Sequence, residues 1–109
     1  MRVRRLGKSY AHPLVVLVAL PNEQHNVHFA ISSGRSVGNA VQRNRAKRLL
    51  REALRPLIPN ITPGWDILLL SRRPLAEATY QDTQEALIIV LKRAHLLIES
   101  YGNRSLSGT

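Results

Sequence analysis

Leu14-Val-Val-Leu-Val-Ala-Leu20 is a seven-residue apolar run closed at both ends by proline, Pro13 and Pro21. It is rich in β-branched side chains and too short to span a membrane, so it reads as a buried strand. A buried strand needs partners. Val27-His-Phe-Ala-Ile31 alternates with a period of two and is expected to pair with the first as a hairpin across the polar turn Asn22 to Asn26. Trp65-Asp-Ile-Leu-Leu-Leu70 supplies a third long strand.

Two helices fit between and after these strands. Ser32 to Ser36 reads as a loop, with a very short strand around Arg35 to Val37. Asn39 is placed to cap a helix from about Ala40 to Arg55, which Pro56 cannot continue. Thr79, with Asp82 three positions on, begins a final helix whose expected core face is Tyr80, Leu87, Leu91, Ala94 and Ile98. The order strand, strand, helix, strand, helix predicts one α/β (α+β) two-layer sandwich over residues 1–109. Residues 1–9 form a basic leading segment, and a Gly/Ser-rich tail at 102–109 is expected to fray.

Charge narrows the function. The formal net charge is +9, a self-repulsion that a polyanionic partner would relieve, with nucleic acid ahead of an anionic membrane surface. Cysteine is absent, which excludes a disulfide framework and a thiolate zinc site. No run has the length of a membrane span or the cleavage pattern of a signal peptide, so the chain reads as soluble and cytoplasmic.

The charge concentrates on the first helix. Arg43, Arg45, Lys47, Arg48 and Arg51 are five cations within nine positions. At about 100° per residue, Ala46, Leu49, Leu50, Ala53 and Leu54 gather toward the core. Asn44, Lys47, Arg48, Arg51 and Arg55 gather opposite, flanked by Arg43 and Arg45. Glu52 is the only acid there and is expected to offset Arg48. Like charges one turn apart repel, so a helix built for solubility alone would mix its signs. Arginine forks match phosphate oxygens, and a helix N-terminus adds free N–H groups. A solvated face and a localisation signal are the blander readings; the one-sidedness opposes the first, and the interleaved core positions oppose the second. Arg2, Arg4, Arg5 and Lys8, and Arg72 with Arg73, could extend the same surface.

Catalytic chemistry is not visible. His25 and His28 have no third ligand nearby, and His95 is expected to edge the core. The acids are scattered, without the paired carboxylates of a two-metal nuclease. Gly34-x-x-x-Gly38 lacks the Lys-Ser/Thr of a P-loop. No catalytic and no metal-ligating residue is assigned. A general RNA-binding module and, more remotely, a protein-only nuclease remain alternatives.

Val37-Gly-Asn-Ala-Val-Gln-Arg-Asn-Arg-Ala-Lys-Arg-Leu-Leu-Arg-Glu52 closely resembles the Arg-Asn-Arg signature of the bacterial ribonuclease P protein component. Ser71-Arg-Arg-Pro74, ahead of the last helix, is similar too, and the resemblance runs from about Leu6 to Ile98. It implies a fold like the second domain of ribosomal protein S5, with a left-handed β-α-β crossover through the basic helix. It implies a catalytic RNA partner that cuts the 5′ leader from precursor tRNA with Mg²⁺ held mainly by RNA; no membrane and no stable protein partner is implied. The chain would then be an endoribonuclease subunit without catalytic residues of its own. Carried over by position, Gly38, Asn39, Arg43, Asn44, Arg45, Lys47, Arg48 and Arg51 would bind RNA, with Arg35 and Arg55 beside them. Val18 and Tyr10 would face the leader. Relatives carry a longer N-terminal helix with aromatics; here Arg4 stands at one such position, and Val18 stands where the cleft strand can carry an aromatic.

Overall fold

The computed structural model describes residues 7–98. Arg2, Arg4, Arg5 and the tail at 102–109 lie outside them. The elements are β1 (Lys8–Ala11), β2 (Val15–Pro21), β3 (Val27–Ser32), α1 (Ala40–Leu54), β4 (Trp65–Ser71) and α2 (Tyr80–Arg93). The four strands form one sheet in the order β1-β2-β4-β3. β1 runs antiparallel to β2, β2 antiparallel to β4, and β3 parallel to β4. β3, α1 and β4 thus make the expected β-α-β unit.

The expected hairpin between β2 and β3 does not form. β4 lies between them, pairing Val15 to Pro21 with Ser71 to Trp65 on one side and Val27 to Ser32 with Trp65 to Leu70 on the other. The backbone shows how it enters. Asn22 N–H donates to the Gly64 carbonyl, and the Gly64 and Trp65 N–H groups donate to the Asn26 carbonyl. The polar turn is therefore held open by the chain leading into β4. Burial agrees with the order: Ile67 and Leu69 of β4 are buried, whereas β3 alternates half-buried and exposed residues as an edge strand does.

Both helices cover one face. Val15, Leu17, Ala19, Ile67 and Leu69 join Ala46, Leu50, Ala53 and Leu54 of α1 and Ala86, Leu87, Val90 and Leu91 of α2 in one core. Val27, Phe29 and Ile31 pack against it from β3. By strand alternation the other face carries Val16, Val18, Leu20, Leu68, Leu70, Ala30, His28 and Asp66, with no helix over it among the described residues.

Three local expectations are corrected. Arg35–Val37 is a 3₁₀ turn and not a strand, closed by Val37 N–H to the Gly34 carbonyl and pinned by the buried Val37. Tyr80 and Ile98 are exposed; the buried stripe of α2 is Thr83, Ala86, Leu87, Val90 and Leu91. Tyr80 sits in the first turn of α2, where it accepts from Gln84 Nε2, and Ile98 lies beyond the end of that helix. His95 does not edge the core: it is exposed, at a positive φ of 58°.

Candidate nucleic-acid interface

The segment Gly38 to Gln42 sets where α1 begins. Asn39 Oδ1 accepts from Gln42 N–H at 3.0 Å, and Gln42 Oε1 accepts from Asn39 N–H at 2.8 Å. This reciprocal box satisfies two donors that a helix start leaves free. Gly38 has φ of 146°, and a Cβ there would run into Gln42 Oε1. Two of the residues assigned to RNA by resemblance thus have a structural task on the backbone.

Arg45 is engaged as well. Its Nε donates to the Ala76 carbonyl at 2.6 Å and its Nη2 to the Ala78 carbonyl at 3.3 Å. Those carbonyls lie in, and just after, the 3₁₀ turn Arg73–Glu77 that precedes α2. Arg45 therefore ties the segment that leads into α2 to the first helix.

The remaining cations are open. Asn44, Arg48, Arg51 and Arg55 are exposed on the outer side of α1, with Arg43 and Lys47 half-exposed at its rim and Arg35 exposed just ahead of it. The expected Glu52 offset to Arg48 is not made. Among the described residues the only ion pair is His28 with Asp66, at 3.0 Å on the sheet. Glu52 is exposed one turn beyond Arg48 but makes no ion pair, so no acid bridges the arginine row among the described residues. Val41 adds a feature that charge counting missed: it is 76% exposed, on the same side of α1 as Asn44 and Arg48. Its signal in sequence was an apolar residue off the core stripe.

Val18 and Tyr10 are not brought together. Tyr10 pairs with Leu17 and packs on the core side, whereas Val18 belongs to the helix-free side. The two residues cannot line one cleft, because adjacent positions in a strand face opposite ways. Val18 instead neighbours Leu68 across β4 and Ser9 across β1.

At one end of that same face, Asp66 Oδ1 accepts from Asn22 Nδ2 at 2.8 Å and lies 3.0 Å from His28 Nδ1. The Asn22 hydrogen bond first, and then the His28 contact, hold the Asp66 carboxyl below its ordinary range. Among the described residues no three His, Cys, Asp or Glu side chains gather in a way that could hold a metal ion.

A basic helix held on a four-stranded sheet, with an arginine row turned outward and no acid bridging it among the described residues, defines a small basic α/β protein. Residues 1–95 match the family model described as Ribonuclease P, and the chain belongs to that family. It is 43% identical over 96 residues to the ribonuclease P protein component of Natranaerobius thermophilus, covering 88% of this chain and 84% of that one. It is 39% identical over 95 residues to that of Herpetosiphon aurantiacus, covering 87% and 77%. The solved RNase P protein of Staphylococcus aureus superposes with a TM-score of 0.77 at 31% identity, over 88% of each chain. Its role is that of the protein subunit of ribonuclease P.

Proposed function

We propose that the outer side of α1 grips the catalytic RNA of ribonuclease P, and that the helix-free face of the sheet holds the 5′ leader of precursor tRNA. The observation that carries this reading is the row of exposed cations on α1 with no acid partner among the described residues. Arg48, Arg51 and Arg55, with Arg43, Asn44, Lys47 and Arg35 around them, meet phosphates, and Val41 meets sugar or base edges. Gly38, Asn39 and Arg45 act through the fold by fixing where the helices start. Val18, Leu20, Leu68 and Leu70 give the leader an apolar floor, with fewer stacking partners than an aromatic strand offers.

The Mg²⁺ ions of the reaction belong to RNA phosphates in this reading. The subunit supplies positive charge and position to a cleavage carried out by RNA, in the cytoplasm. No helix of the described residues is long and apolar enough to cross a membrane.

Salt dependence tests the grip. Each phosphate contact releases counterions, so log affinity falls linearly with log salt. Arg48→Ala and Arg51→Ala should each weaken binding of ribonuclease P RNA and reduce the salt slope by about one. Unchanged slopes in both variants would show that this side of α1 is not the RNA surface.

A further inference from the structure

A cavity lies on the helix-bearing side of the sheet, away from the arginine row. Its volume is about 310 Å³, and it is lined by Lys8 and Tyr10 of β1, Ala19 and Pro21 of β2, Trp65 of β4, and Ala94 and His95 just after α2. Ala19 explains why the hollow exists. It is the small residue on the inward side of β2, paired with Lys8 on one side and Ile67 on the other. α2 ends at Arg93, whose Nη1 donates to the Ala11 carbonyl at 2.8 Å and fixes the helix end over β1.

The lining is unusual for this chain. The sequence holds only five aromatic residues, and two of the four in the described residues converge here. Lys8 is the only charged residue in the lining, and no acid joins it. His95 occupies the left-handed position that closes α2, with its N–H donating to the Lys92 carbonyl and the Leu96 N–H to the Leu91 carbonyl. Glycine is the residue this position favours. A histidine is held there instead, at the rim of the cavity.

We infer that this cavity binds one unstacked nucleotide of the RNA subunit. An aromatic wall accepts the face of a base, Lys8 meets its phosphate, and the His95 imidazole reaches a base or ribose edge. The volume sits at the low end for ligand sites, about 300–1,000 Å³, which suits a single nucleotide and not a duplex. The source follows from the side of the sheet. The cavity shares its side with α1, which faces the catalytic RNA, and not with the face assigned to the leader. That choice of source rests on the reading of α1 above; the chemistry of the cavity does not.

Trp65 is the only tryptophan in the chain, so its emission reports on the cavity directly. The full chain is titrated with tetra-adenylate, with ribose 5-phosphate as control. Saturable quenching by the oligonucleotide and none by the sugar phosphate is expected. His95→Gly and Lys8→Gln should each weaken that response by about threefold to tenfold, the scale of one lost hydrogen bond or ion contact. His95→Gly should leave the melting temperature unchanged or raise it, because glycine relaxes the left-handed backbone. Absent quenching, equal quenching by ribose 5-phosphate, or full binding in both variants overturns the site. In the complex with ribonuclease P RNA, Trp65 should become shielded from acrylamide. A complex of full affinity that leaves Trp65 accessible overturns the RNA subunit as source, whereas failure to form any complex counts against the α1 reading instead.

Discussion

Gly38, Asn39 and Gln42 act on one another before any partner arrives. The Asn39 and Gln42 side chains exchange hydrogen bonds with each other's backbone, and Gly38 leaves the room that Gln42 needs. Asn39→Ala should cost about 1 kcal/mol of stability in urea denaturation, the usual scale of a lost helix cap. Gly38→Ala should cost more, since it meets both a positive φ and the Gln42 side chain. Asp66 gives a pH signature on the sheet. Its folded pKa lies below the ordinary carboxylate value of 3.8, so its contribution is fully present above that value and lost as pH falls through the folded pKa. The melting temperature of Asp66→Asn should therefore lie below that of the parent near neutral pH, and the gap should close on acidification below 3.8. A gap that stays constant down to pH 2 would show that Asn22 and His28 do not stabilise the carboxylate.

At the scale of elements, α1 carries two functions on two sides. Ala46, Leu50, Ala53 and Leu54 anchor it, and the outward arginines remain open. That division was legible, because helical spacing separates apolar from basic positions without any tertiary knowledge. The split inside the motif was not. Arg45 reads as one more phosphate ligand until the chain folds and brings Ala76 and Ala78, more than thirty positions away, against its guanidinium. Arg45→Ala should lower stability, seen as an earlier urea midpoint, and leave the salt slope of RNA binding nearly unchanged, opposite to Arg48→Ala. Strand pairing was also hidden. Two alternating runs across a short turn look like a hairpin, and only the bonds from Gly64 and Trp65 to Asn26 show that β4 separates them. β1 escaped because Lys8 to Ala11 has no apolar run; it is ordered by its ladder with β2.

At the scale of the whole molecule, the sheet is an organiser with two unlike sides. One side bears the core and both helices; the other is a largely apolar face of β2, β3 and β4 with the Asp66–His28 pair at one end. The proposed RNA grip and leader platform would thus sit on different elements of one small core, and a net charge of +9 would draw both polyanions to it. The division predicts separable defects. Loss of Arg48 and Arg51 should weaken holoenzyme assembly, whereas Leu68→Gln, at a half-buried position on the helix-free face, should leave RNA-subunit affinity in place and weaken precursor tRNA binding. The most direct test of the account is reconstitution. Precursor tRNA is incubated at low Mg²⁺ with a bacterial ribonuclease P RNA, with this protein, and with both. Cleavage at the mature 5′ end that needs both components, and falls when Arg48 and Arg51 are replaced together, is the predicted result. Cleavage by the protein alone, or RNA cleavage that the protein does not stimulate, would contradict it.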